Sequence, residues 1–236
     1  MPLQSSEHLI SSYEGELIQL AEYISSMGGL VEAAITNATN ALLKLDHPLA
    51  NMTIAGDKQI DEMQRKIDEM AVSMIARRQP MASDLRMIIT SIHVANDLER
   101  MGDMAKQISR RSLQIEGLSL APKFYNGVKH MTDLVLRQVK AALDAYSTRD
   151  STAAVDVCNH DDEIDALYTS LFRELLTYMM EDPRLITQCT HLLFCGKSLE
   201  RAGDHATNIA EAAYYLDTGK QLTAKVEDLH RLQPKE

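Results

Sequence analysis

The chain reads as all-α, with six long antiparallel helices arranged as two tandem three-helix bundles. Three observations carry this expectation. The apolar residues are mainly Leu, Ile, Ala and Met, with 13 Met against 3 Phe and no Trp, which is a helical palette rather than a strand palette. Prolines are few and widely spaced, and between them run long segments with apolar residues at helical spacing and no strand-like alternation. Finally, Leu98-Glu99-Arg100-Met101-Gly102-Asp103 returns as Leu199-Glu200-Arg201-Ala202-Gly203-Asp204, 101 positions later, which marks a duplicated unit.

Taken in order, the first helix is expected over roughly 7–45 and the second over 50–78, after Pro48. Pro80 separates the second from a third helix over 84–116, which Gly117 would close as a glycine just past its end. Pro122 precedes a fourth helix over 123–147, and the polar run Ser147-Thr148-Arg149-Asp150-Ser151 turns the chain into a fifth over 151–181. Glu181-Asp182-Pro183 supplies an N-cap and a proline at the first helical position for the sixth helix, 184–217, which Gly219 closes. Shifted by 104, Met27 falls on Met131, Val31 on Val135, Asp46 on Asp150, Asp57 on Asp161, Ile60 on Ile164 and Asp61 on Asp165. The offset then becomes 101, so the first copy carries three extra residues near its second turn, between Arg77 and Asp84. The expected units are therefore 1–117 and 118–220, followed by a charged tail, 221–236. Helices of about 30 residues are on the order of 45 Å long, so the molecule should be elongated.

Composition narrows the function. With 236 residues, 45% hydrophobic and 25% charged, the chain suits one or two soluble domains with a real core. A formal charge of −10 argues against nucleic acid, whose phosphates demand a basic face, and favours cations or basic protein surfaces. The polar start, Met1 to His8, leads into no apolar leader, and no run reaches the length of a membrane span, so a cytoplasmic protein without direct membrane insertion is expected. Cys158, Cys189 and Cys195 are odd in number and lack zinc-type spacing, which suits reduced structural thiols. Glu227 and His230 form one isolated Glu-x-x-His in the tail, too little for a metal motif.

The chemistry sits in the repeat. Glu99 with Asp103 and Glu200 with Asp204 stand at i and i+4, so each pair projects from one helix face. Asp57 with Asp61 and Asp161 with Asp165 are spaced the same way. Folding each half as a hairpin about its turn places these pairs opposite each other: the first half is symmetric about Pro80, the second about the Asp182-Pro183 bond. Each half thus gathers four carboxylates at one level, roughly 30 Å from the turn. Such a quartet stays ionised only if compensated. Oxygen ligands without His or Cys suit hard cations such as Mg²⁺ or Mn²⁺, or iron in an oxygen-rich site. The structural alternative is a salt-bridge network through Arg100, Arg201 and Lys106. Gly102 and Gly203 suit close helix approach, and Gln107 and Asn208 could lend amide oxygens.

The turn from Arg77 to Arg86 is the other stretch of interest. Arg77 and Arg78 suit the C-terminal end of a helix dipole, and Ser83 with Asp84 an N-cap and first turn. With Arg86 they form a cationic tip, a candidate for docking a protein, which the second copy lacks. No phosphate loop, nucleophile elbow or interior Glu-x-x-His points to an enzyme, although clustered carboxylates leave a metal-dependent hydrolase of phosphate esters as the rival expectation. His93, His191 and His205 do not repeat between the halves, which argues against their being ligands.

The paired Leu-Glu-Arg-x-Gly-Asp motifs, the turn Arg78-Gln79-Pro80-x-Ala82-x-Asp84-Leu85-Arg86 and the two Asp-x-x-Ile-Asp segments together resemble the PhoU family of bacterial phosphate-uptake regulators, over about residues 7 to 218. The resemblance implies two three-helix bundles, a homodimer, and an accessory role at the phosphate-specific ABC transporter, with its ATPase subunit and a PhoR-type sensor histidine kinase as partners. It implies negative regulation of uptake and of phosphate-starvation two-component signalling when phosphate is plentiful, peripheral to the membrane through those partners. It also implies multinuclear Mn, Mg or Fe clusters at Asp57, Asp61, Glu99, Asp103, Asp161, Asp165, Glu200 and Asp204.

Overall fold

The structure, a computed structural model, describes residues 3–115 and 122–222, with side chains from residue 13 onward. Gly117, the division expected at 117/118 and the tail residues Glu227 and His230 lie outside the described residues. The described chain is helical without strands: α1 (Leu3–Lys44), α2 (His47–Arg78), α3 (Ser83–Ser112), α4 (Asn126–Thr148), α5 (Ser151–Asn159), α6 (Asp161–Glu181) and α7 (Ile186–Thr218), with 3-10 turns at Pro122–Tyr125 and Pro183–Leu185. Helices α1, α2 and α3 form one bundle, and α4 to α7 the other. The 42 residues of α1 make it about 60 Å long at 1.5 Å per residue.

The duplication reaches the turns. Leu45 and Arg149 both take a left-handed backbone (φ 52° and 54°), and each is followed by a capping aspartate. Asp46 Oδ1 accepts from Leu49 N at 2.9 Å, and Asp150 Oδ1 accepts from Thr152 N and Ala153 N at 2.9 and 3.0 Å. Asp182 accepts from Arg184 N at 3.0 Å ahead of Pro183, and Gly219 closes α7 in the left-handed region at φ 70°. The cap expected at Ser83 falls instead on Ala82, which offers no side-chain acceptor; Asp84 lies in the first turn of α3 as expected.

The fifth helix is interrupted at His160. The imidazole Nδ1 takes the Asp156 carbonyl at 2.7 Å, so the His160 backbone N–H turns to Val157 O at 3.2 Å instead. The equivalent residue in the first half, Gly56, has no side chain with which to compete and stays within α2. The break puts Asp161, Asp162 and Glu163 in the first turn of α6, where the helix dipole favours carboxylates.

Helices α3 and α7, which carry the repeated motif, pack against each other and against helices of their own bundle. One continuous core of buried Leu, Ile, Val, Met and Ala side chains runs through both halves. Polar contacts join the halves as well: Thr39 with Thr132 at 3.0 Å, Ser91 with Tyr146 at 2.9 Å, and Arg111 over the Phe194 ring at 4.1 Å.

Within each bundle the motif glycine sets the helix separation. A Cβ on Gly102 would lie 2.9 Å from Ile60 Cδ1, and one on Gly203 would lie 2.7 Å from Ile164 Cδ1. Gly102→Ala gains about 1 kcal/mol of helix propensity but should lose it or more to overpacking, which costs about 1–3 kcal/mol. Gly56→Ala meets nothing within 4 Å and should stabilise by about 1 kcal/mol. The urea midpoint of Gly102→Ala should therefore lie below that of Gly56→Ala, and equal stabilisation would refute the close approach.

Candidate functional site

The close approach at each glycine brings the acidic pairs of neighbouring helices together. In the first half, Asp57 is 5% exposed, and its charge is met by Lys106, whose Nζ donates to Asp57 Oδ2 and, at 3.4 Å, to Asp103 Oδ1. The ammonium thus joins α2 to α3, and the hydrogen bond to Asp57 raises its pKa. Glu99 faces Arg100 Nε at 3.6 Å. Burial, followed by the Asp57 charge, raises the Asp61 carboxyl; burial, followed by the Asp103 charge, raises Glu99.

The second half is built differently. Asp165, Glu200 and Asp204 each offer a carboxylate oxygen within 4.8 Å of the others, which no other group of three His, Cys, Asp or Glu achieves among the described residues. Glu200 Oε1 accepts from Lys197 Nζ, while Glu200 Oε2 is buried without a hydrogen-bond partner there. Asp161 stands apart from the three: its Oδ1 accepts from Thr207 Oγ1 at 2.9 Å, and that hydroxyl accepts from Gln138 Nε2 at 2.9 Å. Burial, followed by the Glu200 charge, raises both Asp165 and Asp204.

The neutralising network expected from arginine forms only in part. Arg201 is exposed and makes no ion pair with the described residues; Lys197, three residues before Glu200, takes that place. Asn208 is committed elsewhere, its Nδ2 donating to Asp97 Oδ1 at 3.1 Å, where His205 Nδ1 also donates at 2.9 Å. These contacts tie α7 to α3, so His205 and Asp97 join the halves. Sequence reasoning missed Lys197, Thr207, Gln138 and Asp97. Lys197 was visible as a cation at i−3 from Glu200; the other three act across helices and left no local signal.

The donor chemistry separates the two quartets. Three carboxylates with an orphaned buried oxygen fit a hard cation at Asp165, Glu200 and Asp204. The first quartet already holds an ammonium between Asp57 and Asp103, and this does not fit a metal at the same place.

The basic turn is less open than expected. Arg78 forks onto Glu16 of α1, with Nη2 3.0 Å from Oε1 and Nε 3.2 Å from Oε2, and only 18% of its side chain is exposed. Arg77, 58% exposed, reaches Glu16 Oε1 at 3.3 Å and Ser73 Oγ at 3.0 Å. Arg86 is partly buried, its guanidinium packed beside Gly219 at the end of α7. The cationic tip is therefore chiefly an internal fastening, with Arg77 its open part.

A family profile described as PhoU domain matches residues 24–112 and 128–213. A phosphate-specific transport system accessory protein PhoU homolog of Rhizobium meliloti (strain 1021) is 50% identical over 217 residues, covering 92% of each chain. The homolog of the same description in Caulobacter vibrioides (strain NA1000 / CB15N) is 44% identical over 93% of this chain and 96% of its own. Among solved structures, PhoU from Pseudomonas aeruginosa superposes with a TM-score of 0.84 at 43% identity, covering 88% of this chain and 100% of that one.

The Glu16 fastening is open to test. The Arg78 hydrogen bonds hold the Glu16 carboxyl below its ordinary pKa, so its contribution is complete above the ordinary carboxylate range and is lost as pH falls through the depressed value. Glu16→Gln should cost about 1 kcal/mol at pH 7 in urea unfolding, and the deficit should fade in acid. A deficit independent of pH would contradict the ionic account.

Proposed function

Because the chain belongs to the PhoU family, we propose that it is an accessory regulator of a phosphate-specific transport system. It restrains uptake and phosphate-starvation two-component signalling when phosphate is plentiful, by linking the transporter ATPase subunit to a PhoR-type sensor histidine kinase. The observation that supports the accessory role is the match over 92% of both chains to a protein named as a phosphate-specific transport system accessory protein homolog. The relatives are named as accessory proteins and not as enzymes, and Asp165 and Asp204 are exposed on open helix faces, unlike the water-excluding clefts that hydrolysis of phosphate esters favours.

Among the described residues no helix is long and apolar enough to cross a membrane, which supports a peripheral, cytoplasmic place reached through protein partners. Self-association as a homodimer is supported by Phe172, Leu176 and Met180, exposed at four-residue spacing along one face of α6. Arg77 remains the open cation of the basic turn for a partner protein, while Arg78 and Arg86 hold the helices that present it.

Asp165, Glu200 and Asp204 would hold Mg²⁺, Mn²⁺ or iron. When bound, the cation supplies positive charge that relieves the repulsion among them. Lys197 holds one Glu200 oxygen and leaves the other for the ligand role, and Thr207 keeps Asp161 turned aside.

Two outcomes are expected. A clean deletion should leave the phosphate-starvation programme on in phosphate-rich medium, and normal repression would sink the regulatory role. For the carboxylates, the raised Asp165 and Asp204 pKa values mean that the folded chain binds those protons more tightly than the unfolded one. These groups add stability as pH falls through the raised values and subtract it at neutral pH. Asp165→Asn with Asp204→Asn should therefore raise the melting midpoint in chelator at pH 7, by less at pH 4. Wild type should gain from Mn²⁺, about 2.7 kcal/mol at a hundredfold excess over Kd, and the double variant should lose most of that gain.

A further inference from the structure

Laid over each other by the repeat, the two motif helices differ in where they carry the cation that reaches each quartet: Lys197 on Glu200 corresponds to Asn96, and a second difference faces the neighbouring helix. Three residues after the motif aspartate the first copy has Lys106, and the second has Thr207. Both side chains reach the equivalent carboxylate on the neighbouring helix: Lys106 Nζ donates to Asp57 Oδ2, and Thr207 Oγ1 donates to Asp161 Oδ1 at 2.9 Å. The amide that supports Thr207 is Gln138, whose counterpart 104 positions earlier is Ala34. One half therefore places a monovalent cation where the other has a neutral hydroxyl with a neutral amide behind it.

The positive charge belongs where it sits. Asp57 is 5% exposed and its Oδ2 accepts from the Lys106 ammonium; a buried carboxylate stripped of its cationic partner is costly. Lys106 also reaches Asp103 Oδ1 at 3.4 Å, so it bridges one carboxylate from each helix, as a metal ion would have to. Of the remaining first-half pair, Glu99 is opposed by Arg100. A divalent ion could enter only by displacing the ammonium from between Asp57 and Asp103.

We propose that Lys106 is the resident cation of the first quartet, so that Asp57, Asp61, Glu99 and Asp103 take no divalent metal in this protein. The duplicated sites have diverged: in one the ammonium spans a carboxylate from each helix, while in the other Lys197 holds a single Glu200 oxygen and leaves Asp165, Asp204 and the second Glu200 oxygen for an exchangeable ion. The second half of that statement rests on the metal assignment at Asp165, Glu200 and Asp204; the first half stands on Lys106 alone.

Equilibrium dialysis of the full chain against Mn²⁺, with bound metal measured by mass spectrometry and folding checked by circular dichroism, tests it. Glu99→Gln should leave bound Mn²⁺ at the wild-type level. Lys106→Thr, which copies the second half, should bind one further ion per chain, and Lys106→Gln serves as a second neutral variant should the threonine variant not fold. Lys106→Arg keeps a cation and should bind no more than wild type. Loss of Mn²⁺ in Glu99→Gln, or no gain in a folded neutral Lys106 variant, would overturn the proposal. Unchanged binding in Glu200→Gln would instead overturn the assignment of the second cluster and leave the Lys106 result standing.

Discussion

Carboxylates drawn together where two helices touch have to be compensated, and the site follows from how each half does so. Gly102 and Gly203 let α3 and α7 approach Ile60 and Ile164 closely enough that a Cβ would lie within 3 Å of either side chain. The acidic pairs flanking those contacts are carried in with them. Packing at the glycine is thus the cause, and the crowding of charge is its consequence. Burial first, and the neighbouring carboxylates second, raise the pKa values of Asp61, Glu99, Asp165 and Asp204.

The two halves resolve the same crowding by different chemistry. In the first, Lys106 is covalently part of the site, with its ammonium between Asp57 and Asp103. In the second, Thr207 and Gln138 satisfy Asp161 with neutral hydrogen bonds, Lys197 holds one Glu200 oxygen, and Asp165, Glu200 and Asp204 are left facing one another. A duplicated fold can keep its architecture while one copy gives up an exchangeable ligand, because a lysine reaching between helices disturbs neither core nor turn. The halves are also fastened together, through Asp97 with His205 and Asn208 and through Arg111 over Phe194. The motif helices therefore form the shared spine of the molecule, with one cation supplied by the chain on one side and the three-carboxylate cluster on the other.

Much of this was legible in the sequence. Pro80, Pro183 and Gly219 marked helix ends, because those residues act on their own backbone, whereas α3 closes at Ser112, short of the 116 expected. The repeat aligned Asp46 with Asp150, which the structure shows to be equivalent caps, and the symmetry about Pro80 and Asp182-Pro183 set the acidic pairs opposite each other, since antiparallel hairpins fix register. What could not be read was the choice among partners. Arg201 and Lys197 are both cations near Glu200, and only the structure shows that it is Lys197, itself exposed, that reaches Glu200 Oε1. Arg78 looked like a solvated tip because its partner, Glu16, lies 62 positions away. The break at His160 depends on a side chain winning the Asp156 carbonyl from its own backbone, a contest that helical periodicity does not register.

Anomalous diffraction from crystals of the wild-type protein grown with Mn²⁺ and measured at the manganese edge tests the divergence of the two sites most directly. The account predicts an anomalous peak among Asp165, Glu200 and Asp204 and none between Asp57 and Asp103, where the Lys106 ammonium should be seen instead. Peaks of equal height in both quartets, with Lys106 swung out to solvent, would contradict it.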